Sequence, residues 1–278
     1  MKAVLSLALL VGTLSSSSYL SAVPTKNLGE EIAFRSYNQM SGFSDMKAKV
    51  SMLTERDHKT TEDMSFLFFA REVGRDQLQR LTIMEKPSDL KGMKFLNYSF
   101  DDEEDQQWMY IPKLKRVKRM PNQGRSANFM GSEFSYEDIS TPRPTKFSYE
   151  FQGEGKVDGR DSYAVVRRPN FEGSNYSYNV VWFDQENYLT QKIDFYDKKG
   201  ELVKELTFNR YRKDDNHPWQ ALEMVMRNKS SGDISKMLWE NLQYGTGLKD
   251  SLFSAARLDK VYLEDESKNI SEVKPTLN

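Results

Sequence analysis

Side chains that commonly carry out catalysis are scarce in this sequence of 278 residues. It contains no cysteine and two histidines, His58 and His217, which lie far apart in turn-like stretches. A serine or cysteine nucleophile needs an activating histidine or a thiol, and zinc sites usually draw on clusters of His and Cys. The 41 acidic residues offer many accidental carboxylate pairs, whose separation in space the sequence does not give. We therefore predict a protein that is not an enzyme and holds no metal or other cofactor.

The most polarised charges lie in the middle of the chain. Asp101 to Asp105 form an unbroken acidic run, and no acid follows from Gln106 to Ser132. The second stretch contains six cations: Lys113, Lys115, Arg116, Lys118, Arg119 and Arg125. Such a block is either a solvated loop or a surface that docks an anionic partner, such as phospholipid headgroups or an acidic protein patch. Since basic side chains bind phosphate and carboxylate groups, we assign a candidate docking role to four of them: Lys115, Arg116, Lys118 and Arg119.

A sheet is the element that must position these residues, because apolar side chains recur at every second position. Met46, Ala48, Val50 and Met52 alternate with polar residues, and the pattern returns in later segments. Asp158-Gly159 predicts a hairpin turn of the primed type. Further turn signals occur at residues 184–187, 197–200, 214–218 and 230–233, and they separate segments of about 8 to 11 residues. This spacing is typical of an antiparallel meander or barrel.

The predicted strands are apolar on one face and largely polar on the other, which indicates a sheet that curls around its apolar side. Residues Asn27 to Met40 carry apolar side chains at helical spacing and precede Ser41-Gly42, so we predict one amphipathic helix there. About ten strands exceed what one helix covers on a flat sheet. A half-open or closed barrel therefore fits the pattern best.

Flexible methionines and rigid aromatic rings are abundant, with thirteen Met and sixteen Phe residues. Such side chains suit a cavity that accepts acyl chains of variable shape, although ordinary core packing explains them equally well. The candidate cavity-lining residues are Met52, Phe66, Phe68, Leu81, Ile83, Phe95, Phe147, Phe151, Phe195, Phe208 and Met224. Trp108 and Tyr110, two apart on one strand, are further candidates, and a core anchor is their alternative role.

The first residues are typical of an export signal. Lys2 supplies a positive charge, Ala3 to Leu14 form an apolar run, and a serine-rich stretch leads to Ala22. The run is shorter than the roughly 20 apolar residues that span a bilayer, so we predict cleavage near Ala22, with an uncleaved membrane anchor as the alternative. We divide the chain into a signal peptide (1–22), a β domain (23–258) and a polar C-terminal tail (259–278) that is loose or covers a sheet edge. Export and a net charge of −1 argue against a nucleic-acid partner.

Several short motifs carry a resemblance to a known family. They are Pro87, Leu90-Lys91-Gly92, Phe95-Leu96, Gln107-Trp108-Met109-Tyr110-Ile111-Pro112, Lys115-Arg116-Val117-Lys118-Arg119 and Phe129-Met130-Gly131-Ser132-Glu133-Phe134-Ser135-Tyr136-Glu137-Asp138. With these motifs the chain, from the first helix to about Leu258, resembles the outer-membrane lipoprotein-sorting protein family, a periplasmic group related to the lipoprotein carriers LolA and LolB.

The resemblance implies a mainly β (α+β) fold, an unclosed antiparallel β-barrel of about eleven strands with a helical lid. It implies that residues 23–258 bind a lipid or the acyl chain of a lipoprotein in the periplasm and transfer it between the inner and outer membranes. It also implies an inner-membrane exporter of the resistance-nodulation-division (RND) type as a partner. We expect a monomer that contacts membranes transiently. A periplasmic scaffold or accessory subunit of an envelope exporter, with a filled interior, is the alternative.

Overall fold

The computed structural model of the protein describes residues 25–57, 59–74, 76–140, 143–213 and 216–261. The predicted signal peptide and residues 262–278 of the predicted tail lie outside the described residues. Within the described part of the chain, no helix is both long and apolar enough to cross a membrane.

Thirteen antiparallel strands of the described chain form one sheet. The strands are β1 (Asp45–Arg56), β2 (Lys59–Val73), β3 (Gln77–Lys86), β4 (Lys94–Phe100), β5 (Gln106–Ile111), β6 (Arg116–Met120), β7 (Phe147–Val157), β8 (Arg160–Pro169), β9 (Tyr176–Asp184), β10 (Thr190–Asp197), β11 (Leu202–Arg212), β12 (Gln220–Asn228) and β13 (Ile234–Tyr244). Their spatial order is β6-β5-β4-β3-β2-β1-β13-β12-β11-β10-β9-β8-β7. The sheet is a pair of meanders joined where β1 pairs with β13, and β6 and β7 are its free edges.

The predicted fold class, a mainly β (α+β) unclosed antiparallel barrel with few helices, is confirmed. The described residues form thirteen strands rather than about eleven. One strand that the sequence did not indicate is β6, because its charged residues suggested a loop. Antiparallel pairing with β5, for example between Tyr110 and Val117, gives this segment backbone partners while its basic side chains stay in solvent.

The predicted hairpin turns are confirmed. Asp158 and Gly159 have φ angles of 47° and 82° and connect β7 to β8, as a primed turn requires. The predicted turn signals also separate the consecutive strands from β9 to β13.

The helix α1 (Thr25–Met40) ends where the sequence predicted and lies against β7. Ile32 and Ala33 are buried in the core on the concave face of the sheet. Gly29 permits this close approach, because a Cβ atom at that position would lie 2.8 Å from the backbone nitrogen of Phe151.

Between β6 and β7 the described residues 121–140 and 143–146 cross the open side of the barrel. This crossing segment contains the short helix α2 (Tyr136–Ile139) and two 3₁₀-helices, Asn122–Ser126 and Pro144–Lys146. Phe129 and Phe134 of the segment are fully buried in the concave core. The concave face is therefore covered by two elements, α1 and the crossing segment.

A second apolar core lies on the opposite, convex face of β2 to β4. The chain after β13 covers it with two 3₁₀-helices, Asp250–Phe253 and Ala255–Lys260. The Nζ atom of buried Lys94 donates to the carbonyl oxygen of Leu258 at 2.9 Å and fixes this cover. Val261 is buried there too, so the packed structure continues three residues past the boundary at 258 that the sequence suggested.

Candidate functional site

A cavity of about 850 Å³ lies between the concave face of the sheet, α1 and the crossing segment. Apolar side chains from both halves of the sheet line its interior, among them Phe66, Phe68, Phe147, Val181, Phe183, Ile193, Phe195, Leu206, Phe208, Met224, Met237 and Trp239. Ala33, Tyr37 and Met40 of α1 and Phe129 and Ile139 of the crossing segment complete the wall. Each strand contributes by the parity of its residues, because alternate side chains point to the same face.

Six of the residues proposed from the sequence line this cavity: Phe66, Phe68, Phe147, Phe195, Phe208 and Met224. The phenylalanine rings among them also pack against neighbouring side chains. Phe68 meets Trp239 edge to face with ring centroids 4.8 Å apart, and Phe195 meets Tyr176 at 4.7 Å. Contact of these six residues with a lipid stays a prediction.

Three further candidates lie on the concave side but within packed regions. Met52 is fully buried in the concave core. Phe95 packs against Phe129 of the crossing segment, with ring centroids 5.8 Å apart, and Phe151 packs against Tyr163 at 6.1 Å. None of the three candidates lines the main cavity.

Leu81, Ile83, Trp108 and Tyr110 require a correction, because they lie on the convex face and not in the main cavity. Leu81 and Ile83 are buried beneath the chain that follows β13, and Trp108 and Tyr110 pack against the same core. The cause is that β2 and β3 are apolar on both faces, so that strand alternation did not distinguish the inner face from the outer one.

The four candidate docking residues, Lys115, Arg116, Lys118 and Arg119, stand on or beside the edge strand β6 and are exposed. None of them lines the cavity. Lys115 adopts the left-handed conformation, with φ of 48°, where the chain turns into β6. Charged side chains on an edge strand also prevent pairing with foreign strands. Their role in docking a headgroup or a protein partner stays a prediction.

The acidic run forms part of the cavity rim and is bound to the crossing segment. Arg143 donates to Asp101 through Nε at 2.6 Å and through Nη2 at 2.9 Å. Arg125 lies 3.4 Å from the carboxylate of Asp105. Exposed residues of the run, from position 102 to 104, line the cavity next to these pairs. The pairs of Arg143 with Asp101 and of Arg125 with Asp105 therefore fasten the crossing segment across the barrel. Residues 102–104 of the acidic run remain exposed to solvent.

Buried polar groups line the cavity next to this rim. Arg143 donates to the hydroxyl of Tyr37 on α1, and burial raises the pKa of that hydroxyl. Arg80 on β3 donates from Nη2 to Asn97 at 2.6 Å and to Ser99 at 2.9 Å, and burial lowers its pKa to about 10.

A second polar group lies at the β8 end of the cavity, around Arg167. Its guanidinium carbon is 4.8 Å from the ring centroid of Phe147, and its Nε donates to the side-chain oxygen of Asn179 at 3.2 Å. Burial lowers the pKa of Arg167. Asp138 of α2 accepts from the hydroxyl of Tyr176 at 2.9 Å and lies near this group.

Sequence reasoning missed this polar group and the part played by the crossing segment. The signal for Arg167 was its position: it is in phase with Val165, which is fully buried on the concave face. A cation in phase with an apolar face marks an inward-pointing charge. The signal for the crossing segment was weaker, because Phe129 and Phe134 lie in a stretch without helical or strand periodicity.

Known proteins show clear similarity to this chain. A family model described as an uncharacterized protein matches residues 76–260. A domain from Vibrio parahaemolyticus, named for outer-membrane lipoprotein sorting, is 34% identical and superposes with a TM-score of 0.80 over 84% of this chain and 99% of its own. A DUF1329 family protein from Desulfovibrio piger is 30% identical, with a TM-score of 0.79 over 85% of this chain and 100% of its own.

A more distant structure shares the fold. A LolA superfamily protein from Nitrosomonas europaea is 16% identical and superposes with a TM-score of 0.65 over 84% of this chain and 98% of its own. No curated protein sequence matches the chain.

Proposed function

Because the chain belongs to the outer-membrane lipoprotein-sorting protein family, whose fold is LolA-like, we propose that it is a periplasmic carrier that holds a lipid or the acyl chain of a lipoprotein in its cavity. The carrier would move this chain through water between the inner and outer membranes. The observation that carries the proposal is the large cavity with an apolar interior.

The cavity distinguishes the carrier from the alternative, a scaffold that presents a surface to an envelope exporter. Protein interiors are packed like organic crystals, with few voids larger than a water molecule. Ligand cavities measure roughly 300 to 1,000 Å³, and the 850 Å³ present here falls within that range. A scaffold would gain stability by filling this space with larger side chains, so the cavity favours the carrier.

The burial of an acyl chain supplies enough free energy for a stable complex. Each buried methylene contributes about 0.8 kcal/mol, so that a chain of about 16 carbons gains roughly 10 kcal/mol before the costs of ordering and lid opening. Release needs a receiver that buries the same chain at least as well. Since the sequence contains no nucleotide-binding P-loop motif, we propose that a partner supplies the direction of transfer, and the family resemblance favours an RND-type exporter.

We propose that α1 is the lid. Its attachments to the rest of the protein include polar contacts at its C-terminal end: Tyr37 accepts from Arg143, and the backbone nitrogen of Gly42 donates to Glu72 at 3.0 Å. Because α1 also buries Ile32 and Ala33 in the concave core, its displacement exposes apolar surface that a bound acyl chain would cover. Displacement of α1 from β7 would open the cavity wall to which Ala33, Tyr37 and Met40 contribute.

Native mass spectrometry of the protein purified from its own periplasm, followed by lipid extraction, tests the proposal. We expect one lipid or acylated protein for each protein molecule. If the protein is empty and also fails to take up a fluorescent fatty acid, the carrier is excluded and the scaffold is favoured. Recovery from the periplasmic fraction without residues 1–22 would establish export, and recovery from the membrane fraction would favour the uncleaved anchor.

A further inference from the structure

Arg167 is a cation that faces the cavity with hydrogen-bond donors to spare. It lies on β8, one inward position along from Val165, and lines the cavity. Its Nε atom donates to the side-chain oxygen of Asn179, and its guanidinium lies over the ring of Phe147. In the described part of the chain, no hydrogen bond or ion pair joins either Nη atom to the protein. These donors are open to the cavity, so an anionic ligand in the cavity can accept hydrogen bonds from them.

The acidic groups near Arg167 are bound to other donors. Asp138 accepts from the backbone nitrogen of Ser135 at 2.7 Å and from Tyr176 at 2.9 Å, and Lys204 lies 3.5 Å away. The carboxylate of the adjacent Glu137 accepts from the hydroxyl of Ser174 at 2.6 Å. These carboxylates offset the charge of Arg167 at a distance but do not occupy its Nη donors.

The other cavity arginines differ from Arg167 in this respect. Arg143 and Arg125 form ion pairs with Asp101 and Asp105. Arg80 is 5% exposed, and its unpaired Nη1 atom is enclosed by protein, so a ligand cannot reach it without a local shift. Arg167 is the cavity arginine that combines access from the cavity with unused donors, within the described residues.

We propose that Arg167 binds the anionic group, a carboxylate or a phosphate, of an amphiphilic lipid whose hydrocarbon chain occupies the apolar part of the cavity. A guanidinium matches both anions because it donates two parallel hydrogen bonds. The apolar surface next to Arg167 continues across the sheet from Phe195 on β10 to Phe208 on β11 and Met224 on β12. Four strand spacings of about 4.8 Å give a path of roughly 19 Å from β8 to β12.

This inference rests on the proposed carrier function and names the chemical class of its ligand. It places the charged group inside the cavity, at the β8 end, and the chain toward β12. A carrier for uncharged lipids would need no cation at this position.

The test compares ligands that differ in the charge of the headgroup. Delipidated wild-type protein and the variants Arg167→Met, Arg167→Lys and Arg168→Met are titrated with hexadecanoate, with hexadecanol and with inorganic phosphate alone. Arg168 is the matched control, because it is the next residue on β8, is exposed and pairs with Glu150 at 3.1 Å. Circular dichroism and the melting temperature show which variants are folded.

We expect wild type and Arg168→Met to prefer hexadecanoate over hexadecanol. Arg167→Met should lose about tenfold or more in hexadecanoate affinity and keep its hexadecanol affinity, because a charge-assisted hydrogen bond is lost while the apolar contacts remain. Arg167→Lys should keep part of the preference, because it keeps the charge. If Arg167→Met is unfolded, Arg167→Lys decides the question. The proposal is overturned if Arg167→Lys is folded, prefers hexadecanoate over hexadecanol as strongly as wild type does, and shows the same preference at low and at high salt.

Each other outcome also decides the question. An equal affinity of wild type for the acid and the alcohol, or an unchanged preference in folded Arg167→Met, overturns the role of Arg167 but leaves the carrier intact. Binding of neither chain to wild type overturns the carrier as well. Phosphate binding that depends on Arg167, without any hexadecanoate binding, supports an anion site but overturns the lipid as the source of the anion.

Discussion

Replacing Met224 by tryptophan should block the cavity without unfolding the protein. Met224 points from β12 into the cavity and is partly buried at its wall. Tryptophan has about six more non-hydrogen side-chain atoms, so its ring would displace several methylenes of a bound chain. A loss of about four methylenes at about 0.8 kcal/mol each weakens binding by roughly 3 kcal/mol, or about 100-fold. The free energy of unfolding should change by less than about 1 kcal/mol, because the ring enters open space.

Met226 provides the matched control. It lies on the same strand and the same face, two residues further along, and is fully buried without lining the cavity. Tryptophan at this position has no space to enter and should cost about 1 to 3 kcal/mol or more of folding free energy. Its folded fraction should bind a fatty acid as wild type does.

Displacement of a fluorescent fatty acid measures binding, and urea unfolding followed by circular dichroism measures stability. Undiminished fatty-acid binding by Met224→Trp would refute the assignment of this space to the chain. An equal loss of stability in the two variants would show that Met224 does not face a void, and the carrier argument would lose its main support.

Three further predictions concern the elements around the cavity. Arg143→Met should lower the free energy of unfolding by about 2 to 4 kcal/mol in urea denaturation, because it leaves the carboxylate of Asp101 without its bidentate partner; a change below about 0.5 kcal/mol would contradict this role. Burial raises the pKa of Glu137 above its usual 4.5, so the folded state retains this proton longer than the unfolded chain, and stability should fall as pH rises from about 4.5 to the raised value. Glu137→Gln should remove that part of the pH dependence in unfolding curves, and an unchanged slope would disprove the assignment. Gly29→Ala should lower the melting temperature although alanine favours helices, because the added Cβ meets the backbone of β7 at 2.8 Å; a raised melting temperature would show that α1 does not pack this closely.

Strand alternation and turn chemistry carried most of the fold prediction. The segments from β10 to β12 have one apolar face and clear turn signals, so Phe195, Phe208 and Met224 were assigned to the concave side correctly. The assignment failed for Leu81 and Ile83, because their strand is apolar on both faces and the chain after β13 supplies a second core. The residues that cover this second core come from a distant part of the chain, so the sequence of β3 carries no sign of them.

The charges show a similar division. The sequence predicted the acidic run and the basic segment as two charged blocks, but the cations of the basic segment do not form one surface. Arg125 folds back to Asp105 while Arg116 and Arg119 remain exposed on β6. Such pairing depends on the path of the crossing segment, which is determined by tertiary packing of Phe129 and not by local sequence preference.

The pairing of β1 with β13 also determines the order in which the barrel can assemble. The strands from β1 to β6 and those from β7 to β13 each join neighbours in sequence, and short loops close rapidly. The seam between β1 and β13 instead joins positions that are distant in sequence, such as Met46 and Tyr244. It therefore cannot form until the chain from β1 to β13 is available for folding. We expect two half-sheets to form early and to dock last along this seam. A chaperone that holds the newly translocated chain would therefore find its longest-lived target in the unpaired edges of β1 and β13.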